Sequence, residues 1–188
     1  MTSVAKTKFL ALIVVCAGLN LGIGFIVSTV KLPFYLDSVG TVLATMLGGV
    51  WAGIACGLLA VLIGSAYTPT LWAYAGTAVA IAVYVSVVSH AGYLRRLLPT
   101  ILLGLGMGVI TAIVSAPVTT YLWKGVSLSG ADALTAFFSA TGETLVNSVV
   151  LGGLSTDPID KLVTSLVAFT LLRRIPQKWF DQSPMVKK

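Results

Sequence analysis

The sequence predicts an all-α integral membrane protein: a compact bundle of six transmembrane helices, both termini cytoplasmic, with a non-crossing or re-entrant apolar segment before the last helix. Three observations carry this prediction. Of 188 residues, 57% are hydrophobic and 10% charged, with a mean hydropathy of +0.99, whereas soluble domains run at about 45–50% apolar and about 25% charged. A chain of this size cannot hide that much apolar surface in a water-soluble core. Apolar runs long enough to cross a membrane recur along the chain, the requirement being about 20 residues for a ~30 Å hydrocarbon layer. The twelve Lys and Arg and six Asp and Glu gather at the ends of those runs, a pattern that suits membrane orientation. Soluble enzyme, DNA-binding domain and disulfide scaffold are excluded together, and residues 1–188 read as one transmembrane domain.

The first span covers 9–30. Lys6 and Lys8 precede it as they would a signal peptide, but 22 apolar residues, Phe9 to Val30, exceed the roughly 7–15 of a signal h-region, so the run reads as a retained span. The run Ser38–Ala66 is long for one helix and short for two. It divides at Gly48-Gly49, glycine being costly inside a helix and cheap in a turn, into spans 38–48 and 50–66. Asp37-Ser38 is placed to cap the first of these. The fourth and fifth spans cover 71–89 and 97–122. Pro99 falls in the first turn of the fifth, and Pro117 should kink it, freeing a carbonyl for Thr119, Thr120 or a neighbouring helix. The sixth covers 158–174, where Asp157-Pro158-Ile159-Asp160 reads as an N-cap, a first-turn proline and a first-turn acid. Between them, 131–153 is apolar but interrupted by Glu143 and Asn147, and reads as re-entrant or interfacial.

Charge placement decides the count. With six spans, Lys6, Lys8, Arg95, Arg96, Arg173, Arg174, Lys178, Lys187 and Lys188 share one side, and only Lys31, Lys124 and Lys161 lie opposite, with Asp37, Asp132, Glu143, Asp157 and Asp160. The rival arrangement keeps 38–66 whole and lets Ala136–Gly153 cross. It strands Arg95-Arg96 outside, in a short loop where the positive-inside rule is strongest.

Small residues at spacings of three and four (Gly49, Gly53, Gly57, Ala60 and Gly64; Gly104 and Gly108; Gly18 and Gly22) allow close helix packing in lipid. Gly18 and Gly22 on the first span are the best candidates for a partner-docking face, and Asn20 between them needs a hydrogen-bond partner. Cys16 and Cys56 lack metal or redox spacing and read as packing residues.

No catalytic constellation is legible. His90 is the single histidine and lies beside the Arg95-Arg96 loop, away from any Ser or Cys partner. No zinc helix and no phosphate-binding loop is present in the sequence. The expected protein is therefore not an enzyme and carries no cofactor or metal. The remaining polar groups converge on the outer face. Glu143 and Asn147, four apart, share a helix face, and an intramembrane carboxylate tends to mark a ligand site. Tyr67, Trp72, Tyr74 and Trp123 serve either as an interfacial belt or, together with those polar groups, as the lining of a small-molecule pocket. The loop from Lys31 to Asp37, with Phe34 and Tyr35, is a candidate lid. Asp157 and Asp160 are assigned as helix caps.

The chain resembles the substrate-binding S components of energy-coupling factor (ECF) vitamin transporters. The resemblance rests on size, six spans, the stretch Leu32-Pro-Phe-Tyr-Leu-Asp-Ser-Val-Gly-Thr41 entering short Gly-rich helices, and Asp157-Pro-Ile-Asp-Lys161 before a final helix ending in Arg173-Arg174. It implies a prokaryotic plasma-membrane protein that binds a vitamin or related micronutrient from outside. Its partners would be a transmembrane coupling subunit and two cytoplasmic ATPases, with the lipid bilayer as its solvent and no nucleic acid involved. It also implies a lid after the first helix and docking through small residues on that helix, where Gly18 and Gly22 replace the family's alanines. A standalone secondary transporter and a membrane sensor or scaffold are the competing expectations.

Overall fold

In lipid every backbone N–H must find a carbonyl within its own segment, so apolar runs become helices. The computed structural model of the chain describes residues 3–30, 32, 34–88, 96–127, 129 and 131–175, and is helical with no strand among them. Lys31, His90, Arg95, Lys178, Lys187 and Lys188 lie outside the described residues. The helices are α1 (Ser3–Thr29), α2 (Val39–Gly48), α3 (Val50–Gly64), α4 (Ala75–Val88), α5 (Leu97–Pro117), α6 (Asp132–Ala140) and α7 (Leu145–Arg174). A 3-10 turn, Pro69–Tyr74, leads directly into α4, and a π-turn, Val118–Leu122, continues α5. Among the described residues, three stretches are long and apolar enough to cross a membrane: Lys6–Thr29, Pro69–Val88 and Leu97–Leu122.

The division between α2 and α3 falls at Gly49, whose φ of +83° is open to glycine and strained for other residues. After Pro117 the helix does not break. It widens into the π-turn, closed by Trp123 N–H donating to the Val118 carbonyl at 3.3 Å.

The last helix differs from the sequence expectation. It starts at Leu145, not at 158, and runs for 30 residues with Pro158 in its interior. Thr144 caps it, its hydroxyl accepting from Asn147 N–H at 3.3 Å. The span assigned to 131–153 is therefore the short helix α6, a turn at 141–144, and the opening turns of α7. The reason Asp157-Pro158 does not start a helix lies on α5. A side chain on Gly108 would collide with the backbone of Pro158 and Asp157, and one on Gly104 with Leu162 Cα at 2.7 Å. The proline has no N–H to satisfy and the glycines have no side chain, so two backbones meet there and tertiary packing holds the proline within a continuous helix.

Helix directions follow from these close approaches. Gly48 of α2 meets Leu12 and Phe9 of α1, Gly53 and Gly57 of α3 meet Ala82 and Ala78 of α4, and Gly125 lies against Leu145 and Val149 of α7. Neighbours in sequence thus run antiparallel. Lys6, Lys8, Arg96, Arg173 and Arg174 sit at one end of the bundle, with Lys124, Asp132 and Glu143 toward the other. Asp157, Asp160 and Lys161 belong to neither end: Lys161 is about 24 Å along α7 from Leu145 and about 20 Å from Arg174, at 1.5 Å per residue. An apolar core of Ile13, Cys16, Val42, Met46, Val85, Leu103 and Leu172 fills the half toward the basic end. The outside is apolar as well, with Val14, Val15, Phe25, Ile26, Leu98, Leu102 and Ile113 all exposed, as contact with lipid requires.

Candidate functional site

The other half of the bundle is hollow. α2 has only 10 residues, so the chain leaving α1 must descend to mid-bundle before α2 begins, and a cavity of about 190 Å3 remains above it. Its walls are Asn20, Leu21, Gly24 and Ser28 of α1, the loop from Phe34 to Ser38, and Thr41 of α2. Gly57, Ala60 and Val61 of α3 and Leu71, Tyr74, Thr77, Ala78 and Ile81 of the 3-10 turn and α4 continue the lining. Thr111, Ser115 and Thr119 of α5 and its π-turn, Ser127, Ser129, and Asp157 and Lys161 of α7 close it. One side is apolar and the other is hydroxyl-rich and charged, the composition of a small-molecule site.

The loop is held from below by α7. Asp160 Oδ1 accepts from the N–H groups of Tyr35 and Leu36 at 2.9 and 2.7 Å. Its Oδ2 pairs with Lys161 Nζ at 2.6 Å. Lys161 in turn donates to Ser38 Oγ at 2.8 Å and reaches Asp37 Oδ1 at 3.4 Å. Leu36 sits at φ +47°, an uncommon conformation for a branched side chain, and the bond from its own N–H to Asp160 secures it. Asp160 and Lys161 are buried, so each is the compensating charge the other needs. Asp157 and Asp160, expected to cap a helix, instead lie mid-helix, and Asp160 anchors the loop.

The expected Asp37-Ser38 cap is also reassigned. Ser38 occupies the N-cap position of α2 without a side-chain cap bond, because its hydroxyl is taken by Asp37 at 2.8 Å and by Lys161. The unpaired N–H of Gly40 goes across to α1, donating to Asn20 Oδ1 at 2.6 Å, while Asn20 Nδ2 donates to Thr41 Oγ1 at 2.9 Å. A side chain on Gly40 would collide with the Cys16 carbonyl, so this polar clasp and the close α1–α2 crossing depend on each other.

Tyr74 and Tyr67, read from the sequence as belt or pocket, line the cavity, and Phe34, Tyr35 and Asp37 do so from the loop. The Tyr74 hydroxyl bonds Thr119 Oγ1 at 2.9 Å, a partner made available by the π-turn. Tyr67 stands edge-on to Phe25, ring centroids 6.0 Å apart. The Tyr35 hydroxyl meets Ser129 Oγ at 3.1 Å. Burial raises the pKa of this phenol well above its ordinary value, so it stays protonated and usable as a donor. Asp132, in the first turn of α6, accepts from Ser127 N–H and Oγ at 2.9 and 2.6 Å and from Ser129 N–H at 3.2 Å, fixing that rim.

Glu143, Asn147, Trp72 and Trp123 are not on the cavity wall. Glu143 and Asn147 are exposed around the α6–α7 turn and bond each other, Nδ2 to Oε2 at 2.9 Å. Trp72 and Trp123 stack edge-to-face, 6.4 Å apart, with Trp72 largely exposed, a position suited to a membrane-interface belt. Glu143→Ala is accordingly expected to leave affinity for any cavity ligand within twofold (roughly 0.4 kcal/mol,) in a binding titration. The residues that sequence reading passed over are Asp157 and Lys161. Their signal was present: acids and a lysine at i, i+3 and i+4 share one helix face, and charges within a span mark function. The Asp-Pro step, read as a helix start, concealed it.

Gly18 and Gly22 face outward from α1, with nothing within 4 Å of where their side chains would be. No known protein family, curated protein or solved structure matches this chain.

Proposed function

We propose that this chain is the substrate-specificity component of an ECF-type importer, a multi-pass protein of a prokaryotic cell membrane that binds a vitamin or related micronutrient in the hollow half of the bundle. In this reading α1, α2, α3, α4, α5 with its π-turn, and α7 make six crossings, and α6 does not cross. The basic end is cytoplasmic by the positive-inside rule, which puts both termini inside and the cavity toward the exterior. The observation that carries the reading is the cavity itself: a mainly apolar chamber with one polar, charged wall, lined by almost every helix, within a bundle whose outside is apolar. The sequence has no nucleotide-binding loop, so the driving ATP hydrolysis belongs to partners.

The open Gly18–Gly22 strip, flanked by exposed Val14, Val15, Phe25 and Ile26, supports docking of a coupling subunit on α1, since small residues let helix backbones approach closely in lipid. Gly18→Leu with Gly22→Leu should leave the melting temperature of the isolated chain unchanged or raised and abolish its co-purification with a coupling subunit and two ATPases.

The direct test is transport. Proteoliposomes holding this chain alone should bind but not accumulate the small molecule that native mass spectrometry finds on it. Adding the co-purified partners should make uptake ATP-dependent. ATP-independent accumulation by the chain alone would instead identify a secondary transporter, and no ligand at all would leave a sensor or scaffold.

A further inference from the structure

A carboxylate taken out of water needs a cation or several hydrogen-bond donors, because burial of an uncompensated charge is among the most expensive events in a protein. Asp160 has both: a lysine at 2.6 Å and two backbone donors. Asp157, one helical turn away and 5% exposed, lines the cavity and has neither. Among the described residues it makes no ion pair within 4 Å; the Thr156 hydroxyl donates to it at a long 3.4 Å, and the nearby Thr111 hydroxyl also donates to the Gly108 carbonyl at 2.9 Å. Lys161 is no substitute, because its ammonium is committed to Asp160, Ser38 and Asp37.

The charge balance around the chamber points the same way. Asp37, Asp157 and Asp160 face a single lysine, so the site carries excess negative charge in surroundings of low dielectric, where such an excess acts strongly. The opposite wall is apolar, and Phe34, Tyr35 and Tyr74 present rings to the same space, surfaces that favour both planar bodies and cations.

We infer that the ligand is a small organic cation, with a protonated amine or cationic ring nitrogen placed on Asp157 and a planar or apolar body against the aromatic side. The inference rests on the binding function proposed above and adds the chemical class of the cargo. An anionic or neutral cargo would leave Asp157 buried without compensation in the loaded state as well as in the empty one.

The test uses the full chain in lipid nanodiscs. The low-mass fraction of a bacterial extract is split by cation exchange at neutral pH into a retained, basic pool and a flow-through of neutral and acidic molecules. Each pool is added, bound mass is read by native mass spectrometry, and melting temperature is recorded. The expected result is a bound mass and a raised melting temperature from the basic pool only. Asp157→Asn should weaken binding of that molecule about 10- to 100-fold, the range for losing a hydrogen bond to a charged group, while its unliganded form melts at or above the wild-type temperature. A bound mass from the flow-through, or unchanged affinity in Asp157→Asn, overturns the inference and leaves the binding function standing. No bound mass from either pool overturns the proposed function and the inference with it. Should Asp157→Asn not fold, the pool preference of the wild type decides alone.

Discussion

Lys161→Met is expected to destabilise the chain by about 3–5 kcal/mol, the cost of leaving a buried carboxylate without its counter-charge. Asp160 is fully buried and its partner lies at 2.6 Å, so after the substitution the carboxylate would have only the N–H groups of Tyr35 and Leu36 to compensate it. The effect should reach the cavity, because the same carboxylate holds the loop that forms one wall. Equilibrium unfolding in mixed micelles measures the first part, and limited proteolysis within residues 30–38 the second. The double variant Lys161→Met with Asp160→Asn separates charge from shape. The amide keeps an oxygen for the two backbone donors and removes the unpaired charge, so most of the loss should be recovered. If the double variant is as unstable as the single one, electrostatic compensation is not what the lysine provides.

Gly40→Ala is the second large effect, expected at about 3 kcal/mol or more, at or beyond the upper end of overpacking costs. The added methyl would meet the Cys16 carbonyl, which is backbone and cannot rotate away, with Asn20 Oδ1 close behind at 2.9 Å. Relief requires α1 and α2 to separate, which also breaks the bond from Gly40 N–H to Asn20. Gly18→Ala, on α1 near the same crossing but facing outward with nothing within 4 Å, is the control. It should be neutral or stabilising by about 0.5–1 kcal/mol, the ordinary helix preference for alanine over glycine. Comparable melting temperatures for the two variants would mean that the crossing is looser than the Gly40 contact requires.

Both predictions turn on contacts that local sequence does not announce. The Gly-rich stripes were visible as spacing, and Gly53, Gly57, Gly104 and Gly108 do lie at crossings, but spacing could not tell Gly40, which is enclosed, from Gly18, which is open. Helix ends were legible where glycine sets them, as at Gly49, and misread where proline did. Asp157-Pro158 carries every local mark of a helix start, and only the backbone of α5 pressed against it at Gly108 makes it an interior position. That one displacement moved Asp157, Asp160 and Lys161 from the expected outer end of the last span to mid-bundle, and with them the polar wall of the cavity.

The amino-acid sequence alone determined that this chain lives among lipids as apolar helices, because hydropathy, run length and the need to pair every backbone group act residue by residue, without reference to neighbours in space. It also singled out Tyr67 and Tyr74, as belt or pocket, and the segment around Tyr35, as a lid, through aromatic and turn chemistry, but it grouped them with Trp72, Trp123, Glu143 and Asn147, which the cavity does not include. Which carboxylates face the chamber was decided by the tertiary structure. Glu143 and Asp157 are both acids next to a threonine between apolar stretches, and their difference comes from packing: one lies exposed beside a turn, satisfied by Asn147, and the other is enclosed where α7 passes α5, on the wall of the cavity. Burial is a property of the assembled bundle, not of the local sequence.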